Sequence, residues 1–214
     1  MQSIIYDLDG TLLDTLSDIA AACNNALARA GLPVHPTDAY RKMVGNGFET
    51  LMRRAVSIAL SQEQLAKLTL QAREAYAEGL CRQTRPYQGM SSALQKLRQL
   101  SCWQAVFSNK PDELSKKLIS HFFPDIKFQE VVGARPDKPM KPNPEVLLNM
   151  LAKAKIPLKQ AIYVGDSNVD IQTAKNAGVA SVGVAWGFRG EDELRAAGAD
   201  FIIHSPDELV NLIR

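Results

Sequence analysis

Short apolar segments alternate with longer amphipathic segments along most of this 214-residue sequence. Runs this short and this apolar, ending abruptly in polar residues or glycine, are typical of strands buried on both faces of a parallel sheet. The stretches between them place apolar residues at helical spacing, as in 112–122 and 168–177. The alternation predicts an α/β fold with a doubly wound parallel sheet and helices on both sides. The predicted strands are 4–6, 103–107, 130–132, 161–164, 180–185 and 201–203.

One region breaks this alternation, because the segment after the first strand contains only helical patterns. Thr15-x-x-Asp18 resembles a capping box and predicts a helix that ends near Gly31. Two more helices are expected, over 48–60 and from about residue 61 toward Gly79. We therefore predict an α/β core domain made of 1–14 and 85–214, interrupted by an all-helical domain over 15–84.

The overall composition excludes several classes of function. The formal net charge is only +2, which argues against a nucleic acid or a membrane surface as a partner. No run approaches the ~20 apolar residues of a membrane span, and the first residues do not resemble a secretory signal. Three dispersed cysteines suggest neither a disulfide framework nor a zinc site. A cytoplasmic protein is expected, and its oligomeric state stays open.

Acidic residues follow two of the predicted strands at the point where each strand ends. Asp7 and Asp9 come after the first strand, and Asp166 and Asp170 follow the fourth. Ligands of such sheets bind beyond the carboxyl ends of the strands, so these acids are expected at one edge. Buried carboxylates require neutralisation by protons or by a hard cation with oxygen ligands. The cluster therefore predicts a Mg²⁺ site, and it offers no soft ligand for zinc.

Four short motifs resemble, in sequence order, those of the haloacid-dehalogenase-like phosphatases. They are Asp7-x-Asp9-Gly10-Thr11, Ser108 after a strand, Lys141-Pro142-x-Pro144, and Gly165-Asp166-Ser167-x-x-Asp170. The resemblance spans nearly the whole chain. It implies a Rossmann-like core with an inserted helical cap domain, and Mg²⁺-dependent hydrolysis of a small phosphorylated metabolite through a phospho-aspartate.

The same resemblance implies a role for each matching residue. Asp7 would be the nucleophile, since aspartate is ionised at neutral pH and needs no activating base. Asp9 would protonate the leaving alcohol and then activate water, and its presence favours phosphate-ester chemistry over dehalogenation. The metal would be held by Asp7, the Asp9 backbone carbonyl, Asp166 and Asp170, the last directly or through water. The phosphoryl oxygens would be bound by Thr11, Ser108, the backbone N–H of Asn109, and Lys141.

The sequence leaves alternatives open at three positions. Asp170 is also placed to cap the helix that follows it. Lys138 competes with Lys141 for the charged role, although the prolines around Lys141 favour that residue. Lys110 follows Ser108 and Asn109, and its side chain is expected either beside the phosphate site or in solvent.

Further details resemble the phosphoglycolate phosphatase branch of the family. They are Val44-Gly45-Asn46-Gly47, Ser108-Asn109-Lys110-Pro111 and the motif around Asp166. In that branch the cap loop touches the organic part of the substrate, so Gly45, Asn46 and Gly47 are candidate specificity residues; a simple turn between helices is the alternative. Ser108 stands where threonine is more frequent, and Gln88 replaces a frequent proline. A carboxylated substrate would need a cation, for which Arg53, Arg54 and Arg189 are candidates, although a solvent-exposed charge is the favoured alternative for each.

These observations favour a phosphatase for a substrate like 2-phosphoglycolate. The two departures also allow pyrophosphate, a sugar phosphate or a nucleotide as the substrate. A phosphomutase of the same superfamily would keep Asp7 and Asp9 but transfer the phosphoryl group to a bound sugar. A non-catalytic regulator is the rival from another class, and the intact set of acids argues against it.

Overall fold

A computed structural model describes residues 3–213 of the chain. Six strands form one sheet in the order β5-β4-β1-β6-β7-β8, and every neighbouring pair is parallel. Helices connect the strands, which confirms the predicted doubly wound α/β class. The strands of this sheet are β1 Ser3–Tyr6, β4 Trp103–Pro111, β5 Glu130–Ala134, β6 Ala161–Gly165, β7 Ala180–Val184 and β8 Phe201–Ile203.

The first strand lies in the middle of the sheet, between β4 and β6. All four of its residues are buried, as expected for a strand covered on both faces. Its pairing continues past its end, where the Asp7 N–H donates to the carbonyl of Val164 at 2.8 Å. The ends of the three central strands therefore lie side by side, which brings distant parts of the sequence to one edge.

The helices of the α/β part begin and end close to the positions that the sequence indicates. The helix α5 covers Asp112–Phe122 and α7 covers Asn168–Ala177, both as predicted from apolar spacing. Gly178, with φ +70°, ends α7 in the left-handed conformation that glycine adopts most easily. The other helices are α4 Met90–Gln99, α6 Glu145–Lys153, α8 Glu191–Ala197 and α9 Glu208–Asn211.

The chain divides into two compact units. One contains residues up to Asp14 together with those from Pro86 onward, and the other is Thr15–Arg85. Two strands of two residues each, β2 (Leu13–Asp14) and β3 (Arg85–Pro86), lie where the chain leaves one unit and enters the other. No helix within 3–213 is long and apolar enough to cross a membrane.

The second unit is helical. It contains α1 (Leu16–Arg29), a 3₁₀ helix over Thr37–Lys42, α2 (Gly47–Ala55) and α3 (Gln62–Glu78). Ser61 begins α3 with a capping box, in which its hydroxyl accepts from the N–H of Gln64.

Two sequence predictions for this unit are wrong. The second helix ends at Ala55 rather than near residue 60, because Val56 has extended backbone angles and Ile58 is exposed rather than packed. Thr15 precedes α1 but makes no side-chain capping bond. The carboxylate of Asp18 instead accepts from the N–H of Gln83 and from the N–H and hydroxyl of Thr84.

Candidate active site

Three carboxylates from two strand ends meet at the middle of the sheet. Asp7, Asp166 and Asp170 each offer an oxygen, and these three oxygens lie within 4.8 Å of one another. All three side chains are buried. Asp7 follows β1 and Asp166 follows β6, while Asp170 lies in the first turn of α7. The parallel pairing of β1 with β6 is what brings these distant residues together.

A buried lysine lies among these carboxylates. The Nζ atom of Lys141 donates to Oδ1 of Asp170 at 2.7 Å and lies 2.8 Å from Oδ1 of Asp7. The second approach is a charge contact without hydrogen-bond alignment, because Oδ1 of Asp7 has no hydrogen-bond partner among the described residues. The rings of Tyr163 and Phe107 lie 5.6 and 6.0 Å from the ammonium and help to exclude water from it.

The competing lysine lies elsewhere. Lys138 is exposed, whereas Lys141 is buried, so only Lys141 has the surroundings expected of a charged site residue. Asn109 fixes this lysine in place: its side-chain amide donates to the Lys141 carbonyl at 3.1 Å and accepts from the Lys141 N–H at 2.8 Å. The side chain of Asn109 therefore orders the Lys141 backbone, which the sequence did not indicate.

Burial of like charges dominates the electrostatics of the cluster. Loss of hydration raises the pKa of Asp7 to about 6, with Lys141 opposing the shift and the carboxylates of Asp170 and Asp9 adding to it. Loss of hydration, and then Asp170 and Asp7, raise the pKa of Asp166 well above its usual value. Burial alone would lower the pKa of Lys141, but Asp170 and Asp7 raise it well above the ordinary value. One ammonium thus faces three acids, an excess of negative charge that favours a bound cation.

Asp170 caps the helix that follows it, which is one of the two roles that the sequence left open. Its Oδ2 accepts from the N–H and the hydroxyl of Ser167, which closes a capping box at the start of α7. Its Oδ1 accepts from Lys141. Since both oxygens already accept hydrogen bonds, Asp170 is better suited to hold a metal through water or through its charge than as a direct ligand.

Glycines allow the backbone to approach the other acids closely. A Cβ on Gly10 would lie 2.2 Å from Oδ2 of Asp166, and one on Gly187 would lie 2.2 Å from its Cβ. The N–H of Phe188 donates to that Oδ2 at 2.7 Å, and the indole of Trp186 donates to the Thr11 carbonyl at 3.1 Å. The loop after β7 therefore holds Asp166 in place, a role that the sequence motifs did not reveal.

The donor set fits magnesium. The side-chain ligands that this cluster offers are all carboxylate oxygens, which Mg²⁺ prefers, and none is a thiolate or an imidazole. Oδ1 of Asp7 is a buried acceptor with no hydrogen-bond partner among the described residues, and Mg²⁺ would add to the charge contact that it makes with Lys141. Asp7 and Asp166 would be its main protein ligands.

The hydroxyls predicted to bind phosphate lie at the same strand ends. Thr11 and Ser108 are buried, and the Thr11 hydroxyl oxygen has no hydrogen-bond partner among the described residues. The Ser108 hydroxyl accepts from the N–H of Lys110 at 3.3 Å, which leaves its own hydrogen available for donation. The strand β4 continues past the predicted end at Phe107 to Pro111, so Ser108 lies within the strand rather than after it.

Lys110 is a site residue whose role the sequence left undecided. Its side chain is 1% exposed, and its Nζ atom lies 3.0 Å from Oδ1 of Asp9. The structure therefore places Lys110 in contact with the predicted general acid and not in solvent.

The candidate specificity residues of the helical unit lie where α2 begins: Gly45 and Asn46 are in the loop before the helix, and Gly47 is its first residue. Gly45 and Gly47 have φ angles of +121° and +81°, which glycine adopts without strain. Arg54 donates to the carbonyl of Met43 and to Oδ1 of Asn46, both at 2.9 Å, and so fixes the loop.

The other two candidate cations make ion pairs. Arg53 pairs with Glu49 on the exposed side of α2 at 2.9 Å. Arg189 lies 3.6 Å from Glu193 in the α/β part. Neither pairing identifies a residue that would bind a substrate carboxylate.

The chain is similar to known proteins over most of its length. Residues 4–184 match the family model described as haloacid dehalogenase-like hydrolase. The chain belongs to this family. It is 32% identical over 216 residues to a protein of Vibrio parahaemolyticus named phosphoglycolate phosphatase, covering 98% of this chain and 95% of that protein. It is 35% identical over 190 residues to a protein of the same name from Pseudomonas syringae pv. tomato, covering 86% and 70%.

Solved structures of this family share the same fold. A crystal structure of a predicted phosphoglycolate phosphatase from Haemophilus somnus matches 100% of this chain and 98% of that chain, with a TM-score of 0.93 and 28% identity. The structure of CbbY from Rhodobacter sphaeroides, in complex with phosphate, matches with a TM-score of 0.78 and 21% identity. The second likeness supports the fold alone.

Proposed function

We propose that this hydrolase of the haloacid dehalogenase-like family is a Mg²⁺-dependent phosphatase for a small phosphomonoester similar to 2-phosphoglycolate. The observation that carries the proposal is the buried Asp7 carboxylate, whose Oδ1 lies 2.8 Å from the ammonium of Lys141. A buried carboxylate beside a fixed cation is well suited to attack a phosphoryl group whose charge that cation stabilises.

The reaction would proceed in two displacements at phosphorus. A carboxylate oxygen of Asp7 attacks the phosphorus atom, the ester P–O bond breaks, and the leaving oxygen takes a proton from Asp9. This step forms an acyl phosphate on Asp7 and releases the alcohol. Asp9 then removes a proton from water, which attacks the same phosphorus atom and releases inorganic phosphate with Asp7 regenerated.

Other side chains would bind the phosphoryl oxygens during both displacements. Lys141 supplies positive charge, and Thr11 and Ser108 supply hydroxyl donors. When bound beside Asp7 and Asp166, Mg²⁺ would supply further positive charge to neutralise the phosphoryl oxygens and the carboxylates. One preorganised donor of this kind typically contributes about 2.7–4 kcal/mol to transition-state stabilisation.

The names of the relatives support the narrower choice of substrate. Two of these relatives are named phosphoglycolate phosphatase. We propose that Gly45, Asn46 and Gly47 contribute to recognition of the organic part of the substrate. Pyrophosphate, sugar phosphates and nucleotides stay as alternative substrates. A cytoplasmic location and a partner limited to a small metabolite belong to the same proposal.

The test is a Mg²⁺-supplemented screen of about a hundred phosphorylated metabolites, ranked by kcat/KM. We expect 2-phosphoglycolate near the top of the ranking, and reversible loss of phosphate release when the metal is chelated. Conversion of a sugar phosphate into its isomer without free phosphate would instead identify a phosphomutase. Absence of any turnover by the folded protein would favour the non-catalytic regulator.

A further inference from the structure

Two buried lysines form ion pairs with three of the four carboxylates of this site. Lys141 contacts Asp7 and Asp170. Lys110 instead contacts Asp9, with its Nζ atom 3.0 Å from Oδ1. The Asp9 side chain is 12% exposed and that of Lys110 is 1% exposed, so this pair is largely shielded from water. The family motifs account for Lys141 but assign no role to Lys110.

The backbone of Lys110 is fixed on both sides. Its N–H donates to the Ser108 hydroxyl oxygen at 3.3 Å, and its carbonyl accepts from the Ser115 hydroxyl at 3.2 Å. A Cβ on Gly133 would lie 2.5 Å from the same carbonyl oxygen, so that neighbouring strand packs tightly against it. Because the lysine starts from a fixed backbone and its side chain is buried, its ammonium has little freedom to move.

The ion pair therefore has a geometric consequence for Asp9. Burying an ammonium with a carboxylate costs hydration on both sides, so such a pair adds little net stability. The effect of the ion pair is to hold one carboxylate oxygen of Asp9 at a defined position. General acid–base catalysis contributes about 10²–10⁴-fold only when the carboxyl lies within hydrogen-bond reach of the reacting oxygen. Misplacement by about 1 Å can cost roughly 10²-fold.

We propose that Lys110 is a positioning residue that orients the Asp9 carboxyl for its two proton transfers. This inference rests on the proposed function. The proton passes from Asp9 to the leaving oxygen in the first displacement and from water to Asp9 in the second, and Lys110 supplies no proton in either. Its contribution is confined to steps in which Asp9 acts.

The test compares two substrates that differ in their need for an acid. An alkyl phosphate releases an alkoxide that must be protonated, whereas p-nitrophenyl phosphate releases a stable phenolate that needs no proton. In single-turnover experiments with Mg²⁺, Lys110→Met should slow release of the alcohol about 10–100-fold. Release of nitrophenolate should stay within about threefold of the original rate, and KM for the alkyl substrate should also change less than about threefold.

Two matched variants accompany this experiment. Lys110→Arg keeps the charge and should recover part of the lost rate, whereas Lys117→Met, which alters an exposed lysine of α5, should leave both rates unchanged. Equal losses with the two substrates would overturn the inference, because they would mark Lys110 as a phosphate ligand or a structural residue. An unchanged rate with the alkyl substrate would overturn it as well.

A double variant separates the loss of positioning from the effect of leaving a buried charge without its partner. Asp9→Asn with Lys110→Met eliminates both charges, so the folded state no longer contains an isolated ion. On the alkyl substrate this protein should be no slower than Asp9→Asn alone, since a positioning residue has no effect without its partner. A further tenfold loss would contradict the inference. Hydrolysis retained by Asp7→Asn would defeat the proposed function itself, which separates the two failures.

Discussion

The carboxylate site of the α/β unit and the loop before α2 in the helical unit differ in how their polar groups are held. In the α/β unit the charged side chains are buried, and Lys141 and Lys110 contact three acids between them. In the loop, Arg54 is exposed and makes its two hydrogen bonds near the surface. A buried cluster must be complete to be tolerated. An exposed loop carries no such constraint, so the chemistry is defined more sharply than the substrate.

The largest effect is expected at Asp7. Asp7→Asn removes the attacking oxygen while it keeps the size of the side chain, so turnover should fall by about 10⁴-fold or more. The thermal midpoint should not fall, because the substitution removes one of the crowded negative charges. Phosphate release and thermal unfolding, measured on the same preparation, check this expectation. Appreciable hydrolysis by this variant would show that another group attacks the phosphorus.

A smaller loss is expected when the central cation is removed. Lys141→Met should lower kcat about 10²–10³-fold, as for the loss of one donor to the developing charge. The variant should also be less stable, because Asp7 and Asp170 lose their counter-charge. Lys138→Met serves as the control, since that lysine is exposed. Similar kcat values for Lys141→Met and Lys138→Met would contradict the different roles assigned to the buried and the exposed lysine.

The acid cluster should also make the stability of the metal-free chain depend on pH. Burial raises the pKa of Asp7 to about 6 and that of Asp166 well above its usual value. Between about pH 4 and 6 these two carboxyls then bind more protons in the folded chain than in the unfolded chain, so their contribution to stability falls as pH rises. The shift of Asp7 alone corresponds to a change on the order of 2–3 kcal/mol.

Chemical denaturation at several pH values tests this dependence. Asp166→Asn should stabilise the metal-free chain at pH 7 and should weaken stabilisation by added Mg²⁺, because it removes a buried charge that is also a proposed ligand. A rise in metal-free stability from pH 4 to 6 that Asp166→Asn leaves unchanged would contradict the assignment of Asp7 and Asp166 to a buried cluster with raised pKa values.

The smallest effects are expected in the loop of the helical unit. Arg54→Ala should lower stability by less than about 1 kcal/mol, as is usual for exposed contacts. If the loop contributes to recognition, KM should rise about two- to fivefold with kcat nearly unchanged. Arg53→Ala removes only the exposed pair with Glu49 and is the matched control. A larger effect from Arg53 than from Arg54 would move recognition to the other face of α2.

Sequence reasoning was most successful where burial imposes a regular spacing of apolar residues. The apolar runs predicted the strands, and the spacing over 112–122 and 168–177 gave the bounds of α5 and α7. It failed at Asp18, whose partners Gln83 and Thr84 lie more than sixty residues away, because no local pattern records such a contact. The extent of α2 was also wrong, since the apolar residues after Ala55 do not pack as a helical face.

The candidate site was also predictable from the sequence only in part. Strand ends predicted which acids would meet, because parallel strands bring their carboxyl ends together. The contact between Lys110 and Asp9 was not predictable, since the sequence gives no direction for a lysine side chain at the end of a strand. The support of Asp166 by Gly187 and Phe188 was also missed, because it depends on a loop after a different strand.

The most direct test of the account is chemical identification of the covalent intermediate. The Asp9→Asn variant, given Mg²⁺ and p-nitrophenyl phosphate, should accumulate the acyl phosphate, because the first displacement needs no acid and the second lacks its base. Reduction of the trapped protein with borohydride, followed by peptide mass spectrometry, should find homoserine at position 7. A modified residue at any other position, or a burst of nitrophenolate with no modified residue at all, would contradict nucleophilic attack by Asp7.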